Sequence, residues 1–245
     1  SADLYVNEAF AVCHREHASI IQLPKFLPSY AGPALVDEVT NLSRMLKPEL
    51  PLTVIVGGAK FGTKLPLLTK FLAPAQNIMV GGALAHVFLK QRGYEIGRSL
   101  VDESLTIPEA LITSPKILLP SEVVVKTTDQ KVIHRHLAEL LPADTIVDVG
   151  PVTIETWSKL IGASKTILWN GPLGYFEDGF GAGTKKLAEL ITASPAFSVI
   201  GGGDTIAAIN SPGLLAKFGF VSAAGGAMLQ FLSAVTLPGL EALKN

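Results

Sequence analysis

TVIVGGAK, Thr53–Lys60, is an apolar, β-branched run that stops at paired glycines, and the chain repeats this phrase. It returns as NIMVGGAL at Asn77–Leu84, FSVIGGGDT at Phe197–Thr205 and FVSAAGGAM at Phe220–Met228. Two further runs, TIVDVGP at Thr145–Pro151 and TILWNGP at Thr166–Pro172, stop at Gly-Pro. A short Val/Ile/Leu run without polar alternation suits a strand covered on both faces of a parallel sheet. The carboxyl ends of such strands share one edge, and ligands bind in the crevice there. Glycine at that edge lets backbone approach a ligand and leaves N–H groups free, often at a helix N-terminus suited to anions. Several strands delivering glycine to one rim predict a phosphate-handling site.

The composition fits a buried α/β core. The chain has 245 residues, 48% hydrophobic and only 17% charged, with a mean hydropathy of +0.40, which argues against disorder. A net charge of −1 gives no support for a nucleic-acid or membrane-surface partner. The single Cys13 excludes an intrachain disulfide and is compatible with a reducing cytoplasm. The longest nearly apolar stretch, Ile78–Leu89, contains two glycines and His86 and is too short to span a bilayer. No signal peptide is visible, and a first residue of Ser permits a processed chain or a fragment.

From Leu52 onward strand-like and helix-like segments alternate, as βαβ units require. The expectation is an α/β fold: a Rossmann-like parallel sheet of about six strands with helices on both faces. Strands are expected at 52–56, 77–80, 117–119, 145–149, 166–169, 197–200 and 219–222, and helices at 63–73, 83–92, 104–113, 152–162, 183–192, 204–210 and 225–233. The more polar 121–144 is expected to cross the sheet edge as a strand and a helix. Ahead of this, LYVNEAF reads as a short strand, and Gly32-Pro33 launches a helix with Leu35, Val39, Leu42 and Leu46 on one face. Asp37 and Glu38 are expected in its first turn and Arg44 and Lys47 near its end, favourable to the helix dipole.

Lys60 and Lys64 follow the first glycine pair and lie four apart at a strand-to-helix junction. Two ammonium groups there suit a polyphosphate; two ordinary surface lysines would look the same. The surrounding GGAKFGTK is not a Walker A loop, because Gly62 is followed by Thr63 and then Lys64. In GGGDT, Asp204 opens a helix beside a close-approach turn. It reads either as a helix N-cap or as a carboxylate bridged to phosphate by Mg²⁺. A dinucleotide fingerprint is missing, since Ile206 and Thr184 stand where the third glycine belongs. The histidines of HREH and HRH lack zinc-like partners, and no Gly-x-Ser-x-Gly elbow or thiol dyad is present.

Taken in order, LYVNEAFAVCHREHAS, GGAKFGTK, VGGALAHVFL, YEIGRSL, WNGPLGYFE, GAGTKKL, GGGDT, AAGGAM and LPGLEAL resemble the phosphoglycerate kinase family essentially from end to end. That family has two lobes, one for 3-phosphoglycerate and one for the nucleotide, joined by an interdomain helix. The resemblance implies that residues 1–28 are a remnant of the phosphoglycerate lobe and 29–47 the interdomain helix. It makes 48–235 the nucleotide-binding domain and 236–245 a tail that packs on the first lobe, most of which this chain lacks. It implies Lys60 and the amides of Gly225 and Gly226 at the transferring phosphoryl. Lys64, Gly202, Gly203, Asp204 and Thr205 fall on the nucleotide phosphates, with Mg²⁺ on Asp204. Gly81 and Gly82 wall the adenine slot, Asn170 and Pro172 line the nucleotide channel, Glu177 holds the ribose hydroxyls, and Arg15 faces phosphoglycerate.

The implied activity is reversible phosphoryl transfer between 1,3-bisphosphoglycerate with ADP and 3-phosphoglycerate with ATP, a glycolytic step in the cytoplasm. The full-length protein is expected to be a monomer, without nucleic-acid or membrane partners, and this chain alone to turn over weakly or not at all. Thr63, Ala83, Ala223 and Ala224 depart from the commonest family residues; Ala83 and the Ala223–Ala224 pair are expected to narrow the site or stiffen the hinge-side loop, since alanine disfavours the positive φ that glycine tolerates. A catalytically incomplete Mg-ADP/ATP-binding module, or a purely structural domain, would share most of these features.

Overall fold

The computed structural model describes residues 2–244. Strands β1 (Tyr5–Asn7) and β2 (Ser29–Ala31) flank helix α1 (Ala18–Ile21), and α2 (Pro33–Leu46) follows. Then come β3 (Leu52–Val56), α3 (Leu65–Phe71), β4 (Asn77–Val80), α4 (Gly82–Gln91), α5 (Glu109–Ile112) and β5 (Ile117–Leu118). A more irregular stretch holds β6 (Glu122–Lys126), β7 (Val132–His136) and β8 (Thr145–Val149), leading to α6 (Pro151–Ala163). The last part carries β9 (Thr166–Asn170), α7 (Ala182–Ala193), β10 (Phe197–Gly201), α8 (Gly203–Ile209), α9 (Pro212–Leu215), β11 (Phe220–Ser222), α10 (Gly226–Ala234) and α11 (Pro238–Glu241).

Six strands form one parallel sheet in the order β11-β10-β9-β3-β4-β5. Each residue of β3 and β9 is buried because both faces are covered. The two-residue period of a strand divides the apolar run between two cores. Val54 and Val56 pack with α2, α3, α4 and α10, through Leu42, Phe71, Phe88 and Met228. Ile55 and Trp169 pack on the other side with α6 and α7, through Trp157 and Leu187. No single helix among the described residues is long and apolar enough to cross a membrane.

The chain order reverses at β3. Successive strands β4 and β5 lie to one side and β9, β10 and β11 to the other. That makes the carboxyl ends of β3 and β9 a topological switch point, where a crevice opens in α/β sheets. Gly57-Gly58 and Gly171-Pro172 stand there.

Several expectations change. The 145–149 run is a strand, but it joins a separate antiparallel sheet, β7-β6-β8. Its partner comes from 121–144, which forms a hairpin and a short 3-10 turn at 137–139 rather than a strand and a helix. The alternating exposure of β7 marks a half-solvated antiparallel strand, and its hairpin partner β6 gives β8 a local neighbour outside the main sheet. The expected 104–113 helix shrinks to α5, since Pro108 sets its start. Helix α3 begins at Leu65, two residues later than expected.

Helix α2 begins at Pro33, which puts Asp37 and Glu38 beyond its first turn. Glu38 is buried, and its carboxylate accepts hydrogen bonds from the Ser222 hydroxyl (2.8 Å) and the Ala223 N–H (2.7 Å). Burial pushes its carboxyl above the usual carboxylate range. It ties α2 to the loop after β11 rather than neutralising a helix end. Glu38→Ala strands both donors and is expected to destabilise by about 1–3 kcal/mol in urea unfolding, with Glu38→Gln costing less. Wild-type stability in Glu38→Ala would show that the carboxylate holds nothing.

Candidate functional site

The rim at the switch point is built by glycine. The Gly57 N–H donates to the Asn170 carbonyl (2.9 Å) and the Gly58 N–H to the Pro172 carbonyl (2.7 Å). Gly81 bonds back to Val56 (2.9 Å), and Gly82 reaches the Leu173 carbonyl (3.0 Å). A Cβ at residue 57 would overlap the Pro172 carbonyl, and Gly58 and Gly82 both have positive φ. Three strand ends are thereby stitched by backbone alone.

Behind the rim, Asn170 and Thr205 are buried. The Asn170 amide donates to the Gly201 carbonyl (3.0 Å). The Thr205 hydroxyl accepts from the Gly171 N–H (2.7 Å) and donates to the Gly201 carbonyl (3.1 Å). Both side chains join the β9 and β10 glycine turns. Gly202, with φ of 100°, caps α8, and Gly203 is that helix's first residue. The cap is therefore not Asp204. Its carboxylate instead pairs with the Lys60 ammonium at 3.1 Å, with both side chains largely exposed.

Lys60 and Lys64 differ. Lys60 sits in the loop, whereas Lys64 is the N-cap residue of α3, and its ammonium is buried and donates to the Gly57 carbonyl. Burial lowers the Lys64 pKa to about 8, with Asp204 opposing the shift and Lys60 adding to it. An ammonium held half-desolvated beneath a glycine turn is poised to bind an anion.

A cleft of about 610 Å³ opens from this rim. Lys60 and Asp204 line it, with Gly58, Gly82, Pro172 and Leu173 of the rim and the more apolar His86, Leu89, Leu100 and Val123. Glu177 lines it from an exposed 3-10 turn at 176–178. Gly225 caps α10, and a Cβ there would lie 3.3 Å from the Gly202 Cα. A Cβ on Gly226 would lie 3.4 Å from the His14 ring, so the HREH segment abuts the start of α10. Arg15 is exposed there, with its Nε 3.4 Å from the His14 ring nitrogen. Ala83, Ala223 and Ala224 all have negative φ, so alanine meets no left-handed penalty at these positions.

Two titratable side chains of the cleft had no assigned role in the sequence, because both sit inside apolar runs. Asp148 is buried and accepts the Gly183 N–H (2.9 Å) and the Val149 N–H (2.8 Å), and burial raises its pKa to about 6. It thereby anchors the start of α7. His86 lies 2.8 Å by Nδ1 from the Leu100 carbonyl, and burial lowers its pKa to about 4. The spacing of four from Gly82 along α4, which turns both residues to one face, was the available signal.

The family model for phosphoglycerate kinase matches residues 1–234. Phosphoglycerate kinase of Thermus thermophilus is 39% identical over 255 residues, covering 99% of this chain and 65% of that protein. The Wolbachia pipientis wMel enzyme is 41% identical over 259 residues, covering 100% of this chain and 65% of its own length. The solved phosphoglycerate kinase structure from Coxiella burnetii matches with a TM-score of 0.89 at 38% identity, over 99% of this chain and 66% of that one. The chain thus spans about 65% of the length of these curated relatives.

Burying the Lys64 charge opposes folding by roughly 3 kcal/mol, from the difference between its folded and ordinary pKa. Lys64→Met is therefore expected to raise stability at pH 7 by roughly 1–3 kcal/mol. Between pH 8 and 10.5 the folded wild type has released this proton while the unfolded chain retains it, so wild-type stability rises with pH. The advantage of Lys64→Met should shrink across that window in denaturation curves. A constant difference would mean that the ammonium is not desolvated.

Proposed function

The chain belongs to the phosphoglycerate kinase family, and from that membership we propose that it carries the nucleotide half of the phosphoryl-transfer site. The reaction is reversible transfer between 1,3-bisphosphoglycerate with ADP and 3-phosphoglycerate with ATP, in cytoplasmic glycolysis. The observation that carries this reading is the convergence of Lys60, Lys64 and Asp204 on one glycine rim, beside a largely apolar cleft that Lys60 and Asp204 line. The cleft suits a purine, and the rim suits its phosphates.

Phosphoryl transfer asks for charge neutralisation, alignment and exclusion of water. The acceptor is a carboxylate, ionised at pH 7, so no general base is needed. On this reading Lys64 meets the nucleotide phosphates and gains proton affinity as it does. Lys60 and the amides of Gly225 and Gly226 face the moving phosphoryl. The Lys60–Asp204 pair is solvent-exposed, hence weak, and both groups can be released to a nucleotide. Gly202, Gly203 and Thr205 shape the phosphate turn, Gly81, Gly82, Asn170 and Pro172 the channel, and Glu177 reaches the ribose.

Among the described residues no group of three His, Cys, Asp or Glu could hold a metal. Asp204 as a single protein carboxylate, completed by phosphate oxygens and water, is how Mg²⁺ is commonly bound beside a nucleotide. When bound, Mg²⁺ would neutralise charge on the phosphates during transfer. Arg15 belongs to the phosphoglycerate side, whose remaining groups lie on the other lobe and meet the nucleotide on closure.

Mg-ADP should bind this chain in a calorimetric titration, and Lys64→Ala should weaken binding about tenfold or more, as expected for losing a charged hydrogen bond. If Mg-ADP does not bind, or Lys64→Ala leaves its affinity intact, the nucleotide assignment is wrong. Coupled-assay turnover should be weak or undetectable, and robust turnover would contradict assignment of the acceptor groups to the other lobe.

A further inference from the structure

Asp148 is buried on β8 beside the cleft, and the phosphoryl-transfer reading leaves it without a task. Its two oxygens serve different elements: Oδ1 accepts the Val149 N–H (2.8 Å) and Oδ2 the Gly183 N–H (2.9 Å). Gly183 is the second residue of α7, a helix without a side-chain cap of its own. Its N–H is among those that a helix start leaves unpaired, and a carboxylate there also meets the positive end of the helix dipole. Asp148 thus does from another sheet what an N-cap side chain does from within the helix segment.

A Cβ on Gly174 would overlap the Asp148 carboxylate, and one on Gly183 would lie 2.7 Å from its Oδ1. Both ends of the 174–183 loop therefore close on a single carboxylate. Between them the loop is one body. The Asp178 and Phe180 N–H groups donate to the Tyr175 carbonyl (3.2 and 3.1 Å), and the Gly179 N–H to that of Phe176 (3.0 Å). Three bonds tie this body to the fold: Tyr175 N–H to the Val147 carbonyl (2.8 Å), Leu173 N–H to the Thr184 hydroxyl (2.9 Å), and Gly183 N–H to Asp148. Glu177 rides on the loop, exposed, and no hydrogen bond among the described residues holds its side chain. The place of its carboxylate is set by the ties at the loop's base.

Resting on the assignment of Glu177 to the ribose, we propose that Asp148 is the positioning residue of ribose recognition. By holding both ends of the 174–183 loop it keeps the Glu177 carboxylate within reach of the nucleotide's 2′- and 3′-hydroxyls. Hydrogen bonds weaken steeply with misalignment, so a loop displaced by about 1 Å loses the hydroxyls. The phosphates, which meet the glycine rim, stay bound. Burial raises the Asp148 pKa to about 6, so at and above pH 7 the carboxylate is ionised and accepts both bonds. Asparagine at 148 offers one acceptor and one donor, and that donor would face the N–H of Val149 or Gly183.

Calorimetric titration with Mg-ADP and its 2′,3′-dideoxy analogue, on wild type, Glu177→Gln, Asp148→Asn and the double variant, tests the proposal. Wild type is expected to bind ADP about tenfold or more tighter than the analogue, as a hydrogen bond to a charged group allows. Asp148→Asn should bring the two within about twofold through loss of ADP affinity alone, and adding Glu177→Gln should then cost nothing more. An unchanged ratio in Asp148→Asn, an equal loss of both nucleotides, or additive losses in the double variant would overturn it. Amide hydrogen exchange of wild type needs no variant. Coupling is reciprocal, so if Asp148 holds the loop for the ribose, the ribose must hold Gly183 to Asp148. The Gly183 N–H should exchange about tenfold more slowly with Mg-ADP bound than with the analogue bound, and equal rates count against the proposal. A preference lost in Glu177→Gln but kept in Asp148→Asn sinks this inference alone. Equal affinities in wild type, or a preference that Glu177→Gln retains, sink the ribose assignment beneath it.

Discussion

Where β3 and β9 end, the Pro172 carbonyl fills the space that a Cβ at residue 57 would need. The rest of the site depends on that approach. It lets four backbone hydrogen bonds join the ends of β3, β4 and β9 without a side chain between them. The same approach puts the Gly57 carbonyl against the Lys64 ammonium and brings Gly58 and Gly82 to the wall of the cleft. Glycine is required here by space as well as by φ: at Gly57 the obstacle is backbone that cannot swing aside, and at Gly82 both constraints act together.

Around this rim the structure accepts charges in places that folding alone would leave apolar. Lys64, Glu38 and Asp148 are all buried, and burial shifts each pKa toward its neutral form. Glu38 and Asp148 are held by backbone N–H donors, so they work as anchors for the loop after β11 and the start of α7. Among the described residues Lys64 makes one side-chain hydrogen bond, to the Gly57 carbonyl, with Asp204 near enough to oppose the shift. An anchor keeps its partners in the folded protein, whereas a charge left under-satisfied at a rim is open to a ligand. That contrast separates the lysine proposed to meet the nucleotide from the two anchoring carboxylates.

Much of the main sheet could be read directly. The runs at 52–56, 77–80, 166–170 and 197–201 are strands because both faces are covered, and an unbroken apolar run has no other comfortable place. TIVDVGP has the same texture but lies in another sheet, since its partner is a half-solvated hairpin that local hydrophobicity does not reveal. Lys60, Lys64 and Asp204 were legible because they follow glycine turns at strand ends. Asn170 and Thr205 fell in the same motifs, yet their polar atoms face the neighbouring turns. Glu38 was misread for a simple reason: its acceptors' partner, the Ser222–Ala223 segment, lies far along the chain. His86 and Asp148 look like interruptions of apolar runs until the fold turns them toward the cleft.

The central claim is that one rim, made by strands β3, β4, β9, β10 and β11, is a single nucleotide shelf. Backbone amide spectra of the chain titrated with Mg-ADP test it most directly. The account predicts saturable shifts confined to Gly58, Lys60, Gly82, Gly202, Asp204, Gly225 and their neighbours, with Leu4 to Val12 and Thr127 to His136 unmoved. Shifts centred away from that rim, or none at saturating Mg-ADP, would contradict it.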